Sequence, residues 1–115
     1  MKTPGEEGAS CFVITREGSG LVLCSYDPAA GMGTIDRIWV EPPCRGKGVG
    51  SALLAAAERE LTRRGARTAR LVPDAIDAAD AQPEYFRRLE EWYIRRGYRN
   101  VESRGFWSVL SKTLS

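Results

Sequence analysis

The chain has 115 residues, 43% of them hydrophobic and 28% charged, which is a globular composition rather than a disordered or fibrous one and suits a single domain with one core. Its formal charge of +2 is spread along the whole length, so net charge marks no nucleic-acid footprint, and no run of eighteen apolar residues offers a membrane span. Histidine is absent, which removes Ser-His-Asp and Cys-His nucleophile systems and the commonest metal ligand. The three cysteines, Cys11, Cys24 and Cys44, are odd in number and widely spaced, which suits neither a disulfide framework nor a metal site.

Residues 1–10 are polar with Gly and Pro and read as a loose leader; there is no charged-then-apolar start of the secretory kind, so a cytoplasmic protein is expected. Two β-rich runs follow, CFVITREG and LVLCSYDP, separated by Gly18-Ser19-Gly20, the mark of a hairpin. A third run, GTIDRIWV, alternates so that Thr34, Asp36, Ile38 and Val40 fall on one face and Ile35, Arg37 and Trp39 on the other. Pro42 and Pro43 stop it, since neither can donate to a ladder.

The period then changes. Val49, Leu53, Leu54, Ala57 and Leu61 form one stripe at helical spacing, Arg63 and Arg64 suit the negative end of the helix, and Gly65 supplies a left-handed cap. TARLVP reads as a fourth strand, and DAIDAADAQP as a connection in which Asp77 or Asp80 caps a short turn. A second helix is expected from Pro83 to Arg96, with Phe86, Leu89, Trp92 and Tyr93 on one side and Gly97 at its end. Two strands, in YRNVESRG and FWSVLSKTL, close the chain. The order β-β-β-α-β-α-β-β predicts an α/β fold with a central mixed sheet and one right-handed crossover.

The segment from Val40 to Ser51 carries the chemistry. Three glycines alternate with Lys47 and Val49 where a helix begins, so backbone amides converge unobstructed at the positive helix end, flanked by Arg45 and Lys47. Such a place binds phosphate. It is not a Walker A loop, because Gly48 rather than Ser or Thr follows Lys47. Nor is it a dinucleotide fingerprint, because Ser51 or Leu53 stands where the last glycine belongs.

Arg45-x-x-Gly48-x-Gly50, preceded by Val40-Glu41-Pro42, resembles the Arg/Gln-x-x-Gly-x-Gly/Ala loop and V-x-P of the GNAT N-acetyltransferase superfamily. Trp92-Tyr93-Ile94-Arg95-Arg96-Gly97-Tyr98 and the closing Leu110-Ser111-Lys112-Thr113-Leu114 resemble two further family patterns, so the likeness runs from about Gly33 to Leu114. The resemblance implies an enzyme that moves an acetyl or other acyl group from acetyl-CoA to a primary amine on a small molecule or a macromolecule, with no metal. It implies that Ile38 and Val40 lie along the pantetheine arm, that Arg45, Gly46, Lys47, Gly48, Val49, Gly50 and Ser51 receive the pyrophosphate, and that Tyr93 meets the departing thiolate as a general acid. Plain solvated charges at Arg45 and Lys47, and a plain core aromatic at Tyr93, are the alternatives.

The glutamate that many family members carry aligns near Thr34, which cannot take a proton from an ammonium group. Asp36 is then the candidate base, with Glu41 behind it. The family's first strand and two helices have no counterpart before the hairpin, so the acceptor side is expected to be open, completed by a dimer partner, or covered by the acceptor itself if that is a macromolecule. A homodimer is expected, with the hairpin and the Phe106-Trp107 strand as candidate contacts and a monomer whose leader folds back over the edge as the rival. Two other readings stand beside the enzyme. One is a catalytically silent CoA-binding module. The other is a nucleic-acid or partner surface formed by Arg87, Arg88, Arg95, Arg96 and Arg99, which the interleaved Glu84, Glu90 and Glu91 disfavour.

Overall fold

The structure, a computed structural model, describes residues 10–73, 83–104 and 107–114. The leader up to Ala9, the caps expected at Asp77 or Asp80, and Phe106 lie outside the described residues. The order of elements is the one the sequence predicts.

Strands β1 (Ser10–Arg16) and β2 (Gly20–Asp27) pair antiparallel from Ser10 opposite Tyr26 to Arg16 opposite Gly20. The turn closes with the Ser19 amide donating to Arg16 O at 2.8 Å. Strand β3 (Met32–Val40) pairs antiparallel with β2, but the register slips: Cys24 stands opposite Ile35 and Leu23 opposite Arg37, so Asp36 is an extra residue in a β-bulge.

The slip corrects the expected faces. Beyond Asp36, Ile38 stands opposite Val22 and Val40 opposite Gly20. Because directly opposed residues share a face, Ile38 and Val40 join Ile35 on the side that carries buried Val22 and Cys24. Thr34, opposite Ser25, stays on the other side.

Helix α1 (Val49–Arg64) covers the Val22 face, packing on β1, β2 and β3. Its buried residues are Val49, Leu53, Leu54, Ala57 and Leu61, the stripe expected from spacing. Leu61 is fully buried and its methyls lie so near Gly33 that a Cβ there would sit 2.7 Å away. Helix and strand thus approach closely only because position 33 carries no side chain. The helix ends in a Schellman cap: Gly65 is left-handed at φ 107°, and the Ala66 amide reaches back to Leu61 O at 2.9 Å. Near that end Arg64 donates to Ser10 Oγ at 3.1 Å and stacks on the Phe12 ring at 4.0 Å, tying β1 to the helix.

Strand β4 (Thr68–Leu71) follows, and the six strands run in the hydrogen-bonded order β1-β2-β3-β4-β6-β5. By its internal contacts the chain forms two compact units, one running to Ala69 and including Thr113 onward, the other Arg70–Lys112.

The second unit holds helix α2 (Pro83–Ile94) and the antiparallel strands β5 (Arg99–Arg104) and β6 (Trp107–Thr113), with Arg99 opposite Ser111 and Asn100 opposite Leu110. Phe86, Tyr93, Tyr98 and Leu110 are its buried apolar residues along with Leu71. The helix stops at Ile94, two residues before the expected Arg96. Its last turn tightens: Arg96 N donates to Tyr93 O at 2.9 Å, Gly97 N to Ile94 O at 3.1 Å and Tyr98 N to Tyr93 O at 3.2 Å, with Gly97 at φ 98°. Gly97 is therefore the stop that the sequence placed there. No helix among the described residues is long and apolar enough to cross a membrane.

All three cysteines are free thiols, and burial, reinforced by the Asp36 carboxylate, pushes Cys24 up to about 12. At pH 8 iodoacetamide should therefore modify exposed Cys11 in the native protein and reach Cys24 only after denaturation, as read by peptide mass spectrometry. Native Cys24 keeps its proton where the unfolded thiol loses it, so its contribution to stability is present below the ordinary value of 9.0 and is lost as pH rises toward about 12. A Cys24→Ala variant should show a flatter decline over that window in urea melts.

Candidate functional site

The chain leaves β3 at Val40 and turns at once. Glu41 N donates to Ser19 O at 2.7 Å, Pro42–Cys44 form a single 3-10 turn, and Arg45 runs extended at φ −69° and ψ 148°. Gly46 and Gly48 then take φ of 78° and 82°, the left-handed region, while Lys47 between them does not. A Cβ built on either glycine meets nothing within 4 Å, so the need for glycine comes from backbone conformation and from the open space beside it rather than from internal crowding.

Gly48 is the N-cap of α1. It makes no side-chain cap, the first turn holds no acidic residue, and the first helical bond runs from Ala52 N to Gly48 O at 3.0 Å. The opening amides of a helix have no partner within it, and the helix end carries partial positive charge. With exposed Lys47 and Arg45 beside it, this turn suits a phosphate dianion. Val49 buries its side chain in the core and offers the turn only its backbone; Gly50 and Ser51 are half-buried, as is Ile38 on β3.

Arg45 reaches backward. Its Nε donates to Val40 O at 3.0 Å and its guanidinium carbon stands 4.8 Å from the centroid of Trp39. The Trp39 indole in turn donates to Glu41 Oε1 at 3.3 Å. Glu41, the secondary candidate base, is therefore engaged with Trp39 at the end of β3.

Asp36 projects from the bulge, exposed, on the face that α1 leaves uncovered. It accepts from Ser25 Oγ at 2.5 Å, and Ser25 lies 3.7 Å from Cys11 Sγ. Thr34 is opposite Ser25, so the structure brings Thr34, Ser25 and Asp36 together on one face, as their spacing along β3 predicts for Thr34 and Asp36.

In the second unit Tyr93 is 7% exposed. It meets Trp92 edge-on at 4.9 Å and Tyr98 at 5.6 Å. The Arg96 guanidinium stacks on Trp92 at 3.8 Å and donates to Trp92 O at 2.9 Å, and Arg87 pairs with Glu84 at 2.7 Å. Arg87 on α2 and Arg96 just beyond its end are thus occupied by neighbours close in the chain. Among the described residues no group of His, Cys, Asp and Glu could hold a metal ion.

Sequence reasoning passed over Trp39 and Ser25. Ser25 has no sequence signal, because its link to Asp36 depends on cross-strand register. Trp39 had one: an aromatic two residues before Glu41 and six before Arg45 at a strand end.

Residues 7–100 match the acetyltransferase (GNAT) domain, and the chain belongs to that family. Among curated proteins none matches the sequence. Solved structures with the same fold include an acetyltransferase from Bacillus cereus, 23% identical with a TM-score of 0.68 over 92% of this chain and 73% of that one. Nourseothricin acetyltransferase is similar at 22% identity and a TM-score of 0.67, over 98% of this chain and 69% of that one. The PaiA N-acetyltransferase of Thermoplasma acidophilum, solved with coenzyme A, is 16% identical with a TM-score of 0.64, over 92% of this chain and 61% of that one. The fold is the α/β mixed sheet of that family, as the order of elements predicts.

Proposed function

We propose that the protein is an acetyl-CoA-dependent N-acyltransferase that acts on a primary amine. The observation that carries this reading is the pair of left-handed glycines, Gly46 and Gly48, beside Lys47 at an uncapped helix start directly after a strand end. Backbone amides from Gly46 to Ser51, with Lys47 and Arg45, receive the pyrophosphate. The strand end at Ile38 and Val40 receives the pantetheine arm through main-chain hydrogen bonds.

The bound thioester supplies an activated acyl carbonyl; the chain's own residues handle the protons. Asp36, oriented by Ser25, takes a proton from the incoming ammonium through water. Tyr93 gives a proton to the sulfur as the carbon–sulfur bond breaks, a task for which a phenol is able. The free thiols, Cys11 exposed among them, suit the reducing cytoplasm. The acceptor is an amine on a small molecule or a macromolecule.

One observation favours a catalytically silent CoA-binding module: Thr34 stands where family members carry a carboxylate, and Asp36 is already engaged with Ser25. Incubation with acetyl-CoA and a panel of amines separates the two, since release of free thiol supports transfer and tight binding without release supports the module.

Coenzyme A should raise the thermal midpoint, with about 2.7 kcal/mol of stabilisation at a hundredfold its dissociation constant. Gly48→Val, which forces a β-branched residue into the left-handed region and fills the open space, should abolish that shift. A midpoint unmoved by millimolar coenzyme A in the unaltered protein removes the reading.

Tyr93→Phe keeps the ring and deletes the hydroxyl. Turnover should fall by about a hundredfold or more, with coenzyme A affinity little changed. Unchanged turnover makes Tyr93 a core aromatic.

A homodimer is proposed to form along β1. That strand is the outer one beside β2 and carries Val13 at 51% exposure, whereas β6 lies between β4 and β5 and has no free edge. Light scattering should give twice 12.7 kDa, and a single-chain mass overturns the dimer.

A further inference from the structure

The seat of Arg45 conflicts with the part it takes in phosphate binding. Its Cα opens the glycine turn, yet its guanidinium lies the other way, against Trp39 and bonded through Nε to Val40 O. The seat is built by neighbours: Trp39 is itself held through its indole N–H by Glu41, and Glu41 N is fixed to Ser19 O. Val40 O is the strand-end acceptor that an amide of the pantetheine arm would use. In this structure a guanidinium stands over it.

From this we infer that Arg45 is a specificity-determining residue, a latch over the Val40 carbonyl that a thioester opens only by offering a pyrophosphate. The inference rests on the coenzyme A reading. An anion at the Gly46–Gly48 amides competes for the guanidinium with a bond to a neutral carbonyl and an exposed ring contact. Charge-assisted bonds to phosphate are the stronger, so the pyrophosphate draws Arg45 forward and uncovers the carbonyl. A pantetheine thioester without phosphates meets the closed latch. The site then selects acyl-CoA over uncharged pantetheine thioesters by gating one acceptor as well as by adding charge contacts.

The test compares coenzyme A with pantetheine in the full chain by titration calorimetry. Arg45→Met keeps the aliphatic stem and removes the guanidinium; because Arg45 is exposed the variant should fold, which circular dichroism checks. The latch predicts responses of opposite sign: coenzyme A binds at least tenfold more weakly to Arg45→Met, while pantetheine binds several-fold more tightly. Arg45→Lys keeps the charge and loses the Nε donor, so it should retain most of the coenzyme A affinity and still bind pantetheine more tightly.

Trp39 is the optical reporter. Coenzyme A should change its emission in the unaltered protein, and that change should be missing in Trp39→Phe. If Arg45→Met weakens coenzyme A and leaves pantetheine unchanged, Arg45 is only a phosphate contact and the latch is overturned. If both ligands weaken, Arg45 is a structural tie, which overturns it equally. Failure of the unaltered protein to bind coenzyme A at all removes the functional reading itself, a result distinct from either of these.

Discussion

A chain that turns from the end of a strand into a helix with no side chain capping the helix start needs backbone angles that side chains oppose. Gly46 and Gly48 supply them at φ 78° and 82°. Much else follows from that turn. It fixes where α1 begins, and the start of a helix fixes its rotation, which decides that Leu53, Leu54, Ala57 and Leu61 rather than their neighbours meet the sheet. A left-handed cost of about 1–2 kcal/mol at each of two ordinary residues would weigh on both the ligand site and the packing of the helix beneath it. Core and site share one constraint, and the loop cannot be varied for one without the other.

How much of this was legible depends on how local the determining force is. The stripe on α1, the Schellman glycines Gly65 and Gly97 and the hairpin turn at Gly18-Ser19-Gly20 are each set by residues within one or two turns of each other, and the sequence places them all. The faces of β3 were legible only as far as Asp36. Alternation assumes an unbroken ladder, and whether one residue is squeezed out of pairing is decided by β2, not by β3 itself. The end of α2 was two residues off for a related reason: helical spacing continues through Arg96, but bonds of the 3-10 type had already begun to close the cap.

The candidate site divides the same way. Glycine spacing announced the phosphate turn, because glycine is the residue that tolerates the backbone the turn requires. The lodging of Arg45 against Trp39, the engagement of Glu41 and the bond from Ser25 to Asp36 were not announced, since long side chains choose among partners that only the folded chain brings near. Sequence therefore identified the charged groups at the site better than it identified what each one touches.

The bulge at Asp36 also says something about insertions and deletions. It absorbs a single residue between two stretches of β3 that obey the same alternation with opposite phase. Replacing Asp36 alters one exposed side chain. Removing it would join Ile35 to Arg37 in a regular ladder in which Ile38 and Val40 still stand opposite Val22 and Gly20, on the side that α1 covers. At this position a gap leaves the pairing as intact as a substitution does, whereas a residue removed from the regular ladder on either side would turn the flanking stretch over.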